Sequence, residues 1–254
     1  MDEQARASLS EYLLGLADDE LILGHRDSEW CGQAPILEED IAFANIALDE
    51  IGHAVLWYGL LADLNGEDRL TYPDHMVFQR PAKEFRNIQM VELPKGDWAF
   101  SILRQYLFDA AELIRLEGLK ASRYPPLTET AAKIQTEEIY HRRHNSAWVK
   151  RLSLGTQESH RRLQAALNSL WEYSFQLFAQ PPGCADLVKI GFVPDTHNLQ
   201  TAWQDSVTTF LQGCDLAVPR TEQPPIDRRQ HTTHLDVLIA EMQSVARLDP
   251  LAEW

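Results

Sequence analysis

The stretch Phe43-Ala44-Asn45-Ile46-Ala47-Leu48-Asp49-Glu50-Ile51-Gly52-His53-Ala54-Val55-Leu56-Trp57-Tyr58 decides how this chain is read. Steps of three and four residues bring Phe43, Ile46, Glu50, His53, Trp57, Leu60 and Leu64 onto one helix face. That face is apolar enough to demand burial, yet an acid and an imidazole interrupt it. A second stretch does the same: Ala131, Ile134, Glu138, His141, Asn145, Trp148 and Leu152 share a face. The motifs Glu50-Ile51-Gly52-His53 and Glu138-Ile139-Tyr140-His141 are weak alone, since a chain with 38 acids and nine histidines produces such pairs by chance. Their place on the buried face gives them weight.

Two further helices repeat the anomaly. Leu9, Leu13, Leu16, Glu20 and Leu23 put one glutamate into a row of leucines, 30 residues ahead of Glu50. Ile102, Tyr106, Asp109, Leu113 and Leu116 put an aspartate into another, 29 residues ahead of Glu138. Glu112 rivals Asp109 for this place, but its row of Gln105, Phe108, Glu112, Arg115 and Leu119 is partly polar. Glu137 shares a row with Lys133, Tyr140 and His144 and is set aside on the same ground.

Four helices thus aim an acid into one core, two of them with a histidine beside it. Buried carboxylates cost several kcal/mol each and repel one another, so a cation must compensate. Two divalent ions, iron or manganese, match four carboxylates and two imidazoles, the ligand set of ferritin-like dinuclear bundles. The expected ligands are Glu20, Glu50, His53, Asp109, Glu138 and His141. Asp49 or Asn45 would bond the outer ring nitrogens.

Around these stretches the pattern predicts an all-α chain: long helices over about 8–27, 37–64, 97–121, 128–152, 157–180 and 198–216, and a last one over about 233–248. The segment 67–96, with Pro73, Pro81 and Pro94, reads as a long crossover with one short helix. The expectation is a single ferritin-like domain, residues 1–254, with a four-helix bundle over about 8–152 and additional C-terminal helices over about 157–248. A proline-rich linker is expected at Pro219 to Pro225.

Composition narrows the function. The 23 Lys and Arg against 38 Asp and Glu give a net charge of -15, which opposes nucleic acid and anionic lipid as partners. No 18-residue apolar run and no signal-like start occur, so a cytoplasmic protein is expected. Cys31, Cys184 and Cys214 lack metal-binding spacing and read as buried thiols. His231 and His234 read as capping and polar packing at a helix start. The run His141-Arg142-Arg143-His144, with Lys150, Arg151, Arg161 and Arg162, reads as a solvated, ion-paired face. Trp171, Tyr173, Phe175, Leu177 and Phe178 read as an apolar surface for a partner.

The run Ser28-Glu29-Trp30-Cys31-Gly32-Gln33-Ala34-Pro35, continued by Leu37 to Asp49, resembles the C-type family of bacterial ring-1,2-phenylacetyl-CoA epoxidase subunits. Arg104-Gln105-Tyr106, Tyr140-His141, His231-Thr232-Thr233-His234-Leu235 and Ala240-Glu241-Met242-Gln243 carry the resemblance along nearly the whole chain. It implies a ferritin-like fold and membership of a multicomponent, oxygen-dependent monooxygenase of aerobic phenylacetate breakdown. In that assembly an A-type subunit holds the working di-iron centre, a reductase subunit supplies electrons, and the C-type subunit is a structural companion of the A-type one. Such companions resemble copies of the A-type subunit that have lost several ligands, whereas all six positions here are filled by metal-binding residues.

Three functions therefore stand in order. The first is a companion subunit that retains a metal ligand set, with iron or manganese bound or absent, in a hetero- or homo-oligomer. The second is an autonomous di-iron carboxylate oxygenase acting on an aromatic or unsaturated substrate. Iron storage, which shares the ligands but not the resemblance, is a distant third.

Overall fold

The computed structural model describes residues 1–220 and 226–249 and contains no strand among them. Its α-helices in chain order are α1 (Glu3–Ser28), α2 (Leu37–Asn65), α3 (Tyr72–Phe78), α4 (Gln89–Glu92), α5 (Trp98–Leu119), α6 (Pro125–Leu154), α7 (Gln157–Ser174), α8 (Cys184–Lys189), α9 (Thr196–Gly213) and α10 (Thr233–Met242). The expected ferritin-like bundle is present: α1 pairs with α2, α5 pairs with α6, and the crossover joins the pairs. Helix α7 packs on α5 and α6, and α9 lies along α5.

Local chemistry sets the helix boundaries. Asp2 accepts a hydrogen bond from the Ala5 amide at 2.8 Å, so α1 starts five residues earlier than the apolar rows indicate. Asp97 caps α5 through the Phe100 amide at 3.0 Å. Gly66, at φ 75°, ends α2 in the left-handed region. Pro125 and Pro126, ahead of the helix start expected at about 128, open α6, because proline needs no amide partner in a first turn. Helix α7 stops at Ser174 rather than about 180 and tightens into a 3-10 turn over Phe175–Phe178. Helix α10 stops at Met242, short of the expected 248. The crossover holds two short helices and a 3-10 turn instead of one helix. The proline-rich linker falls mostly outside the described residues.

At Asp18-Asp19-Glu20 of α1, three consecutive buried acids point in three directions, as the roughly 100° step per residue requires. Asp18 accepts from Tyr58 Oη, from Arg80 at 2.6 Å and from the Arg86 amide at 2.7 Å. Asp19 accepts from Arg228 and from the Ile88 amide, at 2.8 and 2.7 Å. The two acids thereby fasten the crossover and the returning C-terminal segment to α1. Glu20 turns into the bundle. One turn later Gly24 allows α1 and α2 to touch: a Cβ there would meet the Ala47 carbonyl at 2.9 Å and Glu50 Cβ at 3.0 Å.

Several side chains depart from expectation. Cys31 is exposed in the turn after α1, whereas Cys184 and Cys214 are buried. The aromatic run across the end of α7 and the 3-10 turn after it is not a free surface, for Trp171, Phe175, Leu177 and Phe178 are at most 4% exposed. Trp171 stacks on Trp203 of α9 with centroids 5.6 Å apart, so intrachain packing consumes this face. Within the basic run, Arg142 is not solvated: it lies over the Tyr106 ring at 3.9 Å and donates to its hydroxyl at 3.0 Å. Arg161 and Arg162 do pair with Glu158. Thr232 caps α10, and His231 Nδ1 lies 2.7 Å from Glu92, which ties the C-terminal segment to α4.

Candidate metal centre

All six expected ligand residues converge between α1, α2, α5 and α6, and none is more than 1% exposed. Ligand atoms of Glu20, Glu50, His53 and Glu138 lie within 4.8 Å of one another, as do those of Glu50, Asp109 and His141. Donors bound to one small divalent ion at about 2.0–2.2 Å stand at most roughly 4.4 Å apart, so a small contraction would seat them. Glu50 belongs to both groups.

Both imidazoles turn Nδ1 inward. His53 Nδ1 stands 3.5 Å from Glu138 and 3.8 Å from both Glu20 and Glu50. His141 Nδ1 stands 3.1 Å from Glu138 and 3.3 Å from Glu50. The ring centroids are 5.9 Å apart. The outer nitrogens bond crosswise. His53 Nε2 on α2 reaches Glu137 of α6 at 2.8 Å, and His141 Nε2 on α6 reaches Asp49 of α2 at 3.2 Å. Such carboxylates fix ring orientation and tautomer, presenting Nδ1 as the ligand atom.

The donor set fits a divalent cation on an observation independent of spacing. Glu20 Oε2, Glu50 Oε2, His53 Nδ1 and Glu138 Oε2 are buried without a hydrogen-bond partner among the described residues. Each such atom ordinarily costs about 1–3 kcal/mol, more when charged, and one ion between them would satisfy all four.

The electrostatics say the same. Burial first, and then repulsion from Glu50, raises Glu20 well above the usual carboxylate range. The same two causes push Glu138 up to about 7. Burial and the charge of Glu138 raise Asp109 well above its ordinary value. Burial also opposes the charge of Glu50, but polar contacts with Glu20, His141 and His53 outweigh it and hold Glu50 well below the normal range. Burial opposes charge on the imidazoles too, yet the nearby Glu50 carboxylate raises His53 to about 9, and Glu138 and Glu50 raise His141 to about 12. Without an ion the cluster neutralises itself with protons, which a metal would displace.

Glu112, the rival for the α5 position, is buried but pairs with Arg115 instead of joining the donor group. Asn45 faces solvent, leaving Asp49 as the outer-ring partner. Sequence reasoning missed two participants. Glu137 was set aside for its row, yet it serves the histidine of the opposite helix. The available signal was the acid immediately before each motif glutamate, at Asp49 and Glu137. The other is Gln105, whose Nε2 donates to Glu50 Oε1 at 2.6 Å and to Asp109 Oδ1 at 2.8 Å. Asn145 adds a bond to Asp109 Oδ2 at 3.0 Å.

Fold and site together define a ferritin-like helical bundle with a buried group of glutamates and histidines that could hold a metal ion. The family described as phenylacetic acid catabolic protein matches residues 1–254, and the chain belongs to it. It is also similar to the C-type subunit of the 1,2-phenylacetyl-CoA epoxidase of Escherichia coli (strain K12): 36% identical over 248 residues, covering 97% of this chain and 99% of that protein.

Proposed function

We propose that this chain is the C-type subunit of a multicomponent phenylacetyl-CoA epoxidase of aerobic phenylacetate breakdown. It acts in the cytoplasm as structural companion of a catalytic A-type subunit, with a reductase subunit feeding the assembly. Residues 1–254 act as one domain, the C-terminal helices bracing the bundle. The carrying observation is the end-to-end likeness to an epoxidase subunit of the C type, with nearly the full length of both chains aligned. Burial supports the companion role, since ligands at most 1% exposed give an aromatic thioester no approach unless the bundle opens. Among the described residues, no helix is long and apolar enough to cross a membrane.

In this reading Glu20, Glu50, His53, Asp109, Glu138 and His141 are the residues that would hold iron, or manganese, in this subunit. A bound ion would supply charge compensation to the core and, if redox-active, electron exchange with oxygen. The chain's own contribution is to orient both imidazoles through Asp49 and Glu137 and to keep water out. The intact donor set favours a second reading, an autonomous di-iron oxygenase. Co-expression with an A-type subunit, followed by size-exclusion chromatography and turnover assays of the complex and of each chain, tests both. A stable complex and an inactive isolated chain are expected. Turnover by this chain alone, or failure to associate, would overturn the companion reading.

A further inference from the structure

The two halves of the centre are chemically unequal. In the Glu20, Glu50, His53 and Glu138 group every residue keeps one buried ligand atom without a hydrogen-bond partner among the described residues. In the Glu50, Asp109 and His141 group the corresponding atoms are already engaged. Glu50 Oε1 and Asp109 Oδ1 both accept from the Gln105 amide, at 2.6 and 2.8 Å, and Asp109 Oδ2 accepts from Asn145 at 3.0 Å. His141 Nδ1 is bonded to Glu138 at 3.1 Å.

From this asymmetry we infer that the chain binds a single divalent ion, held by Glu20, Glu50, His53 and Glu138, and that the Gln105 amide occupies the second ion's place. The inference rests on the metal-binding reading above and narrows it.

The geometry makes the second ion and the amide exclusive. An ion bonded to Glu50 Oε1 and Asp109 Oδ1 at about 2.0–2.2 Å would stand between those oxygens. Gln105 Nε2 already stands there, within 2.8 Å of both. Turned over, the amide would set its carbonyl oxygen against the Glu50 carboxylate, an acceptor 2.6 Å from that place. A carboxamide NH2 is the neutral group that best imitates a cation toward two carboxylates, since it offers two donors and no acceptor from one nitrogen. Gln105 is fully buried on a helix and cannot swing into solvent to admit an ion. Asp109 adds to the inequality: its side chain is one methylene shorter than the other three acids, and both its oxygens are tied to amides from α5 and α6.

Titration of the purified, metal-free chain with Co2+ tests this, read by visible absorption, elemental analysis after desalting, and electron paramagnetic resonance. Wild type should bind one Co2+ per chain with a magnetically isolated signal. Asp109→Asn should keep that ion, and His53→Ala should lose it. Gln105→Ala should admit a second Co2+ and show spin coupling. Gln105→Glu, which keeps the volume and supplies a further carboxylate, should do the same and covers poor folding of the alanine variant. Two ions in wild type would overturn the inference while leaving the metal-binding reading intact. A single ion in both Gln105 variants, or loss of the ion from Asp109→Asn but not from His53→Ala, would also overturn it. No ion bound by any variant would remove the metal-binding reading itself, and the inference with it.

Discussion

The outer nitrogen of His53 lies 2.8 Å from Glu137, a half-exposed carboxylate on the facing helix. A buried imidazole is thereby oriented by a group that solvent can reach. Replacing Glu137 with Gln should cost little stability, because the replaced carboxylate is half exposed and the glutamine oxygen can still accept from the ring. The ring would lose its charged acceptor, and affinity for a divalent ion should fall about 10- to 100-fold. Calorimetric titration of Glu137→Gln beside urea unfolding separates the two effects. Equal losses in both would mean that the contact is merely structural.

The acids of the centre oppose folding of the ion-free protein. Glu20→Gln removes a carboxyl that must take up a proton when the chain folds, so the metal-free variant should be more stable than wild type near neutral pH by about 0.5–2 kcal/mol. A chain of this size should gain about 2–4 °C in melting temperature for each kcal/mol. The same variant should lose the extra stability that wild type gains from added divalent ion. Thermal melts with and without Co2+ provide the measurement.

Arg228 returns from the C-terminal segment to pair with Asp19 at 2.8 Å, both side chains being nearly buried. Arg228→Met would leave Asp19 without its cation and should cost about 3–5 kcal/mol. Urea unfolding should show the loss. The double variant with Asp19→Asn should recover much of it, since the unpaired charge and not the lost packing dominates.

Asp27 offers a test of pH dependence. Burial raises its pKa to about 7 against the opposing effect of Arg104 of α5, 3.3 Å away; Glu50 of α2 adds to the rise and His141 of α6 opposes it. A carboxyl raised on folding binds its proton more tightly in the native than in the unfolded state. Its contribution to stability is therefore greatest below the ordinary aspartate pKa of about 4 and declines as pH rises toward about 7, above which it stays constant. Asp27→Asn should flatten the stability curve of the metal-free protein between those limits. Unfolding midpoints for both proteins across pH 4–8 would reveal it, and parallel curves would count against the assignment.

Much of this was readable from residue periodicity. Glu20, Glu50, Asp109 and Glu138 each break an apolar row, and a helix that must bury the row must bury the acid with it. Asp109 and Glu112 are both buried on α5, and what separates them is contact: Glu112 pairs with Arg115, while Asp109 lies with Glu50 and His141. What periodicity could not show was contact between helices. Gln105 is unremarkable on its own helix and matters only because Glu50 stands across from it. The aromatic run around Trp171 was misread for the same reason: an apolar helix face announces that it will be covered, but not whether the cover is α9 or another protein. Helix ends strayed where a cap or a proline, rather than the apolar rows, set the boundary, as at Asp2 and Pro125.

The three successive acids of α1 have a consequence for how an arriving ion is received. A helical residue cannot rotate without carrying its neighbours, so Asp18 and Asp19, clamped from outside by Arg80 and Arg228, fix the bearing of Glu20 though neither touches the centre. The carboxylate that greets a cation has already surrendered its angular freedom when the chain folded, and loosening a distant guanidinium would blur the aim of a group on the far side of the same rod.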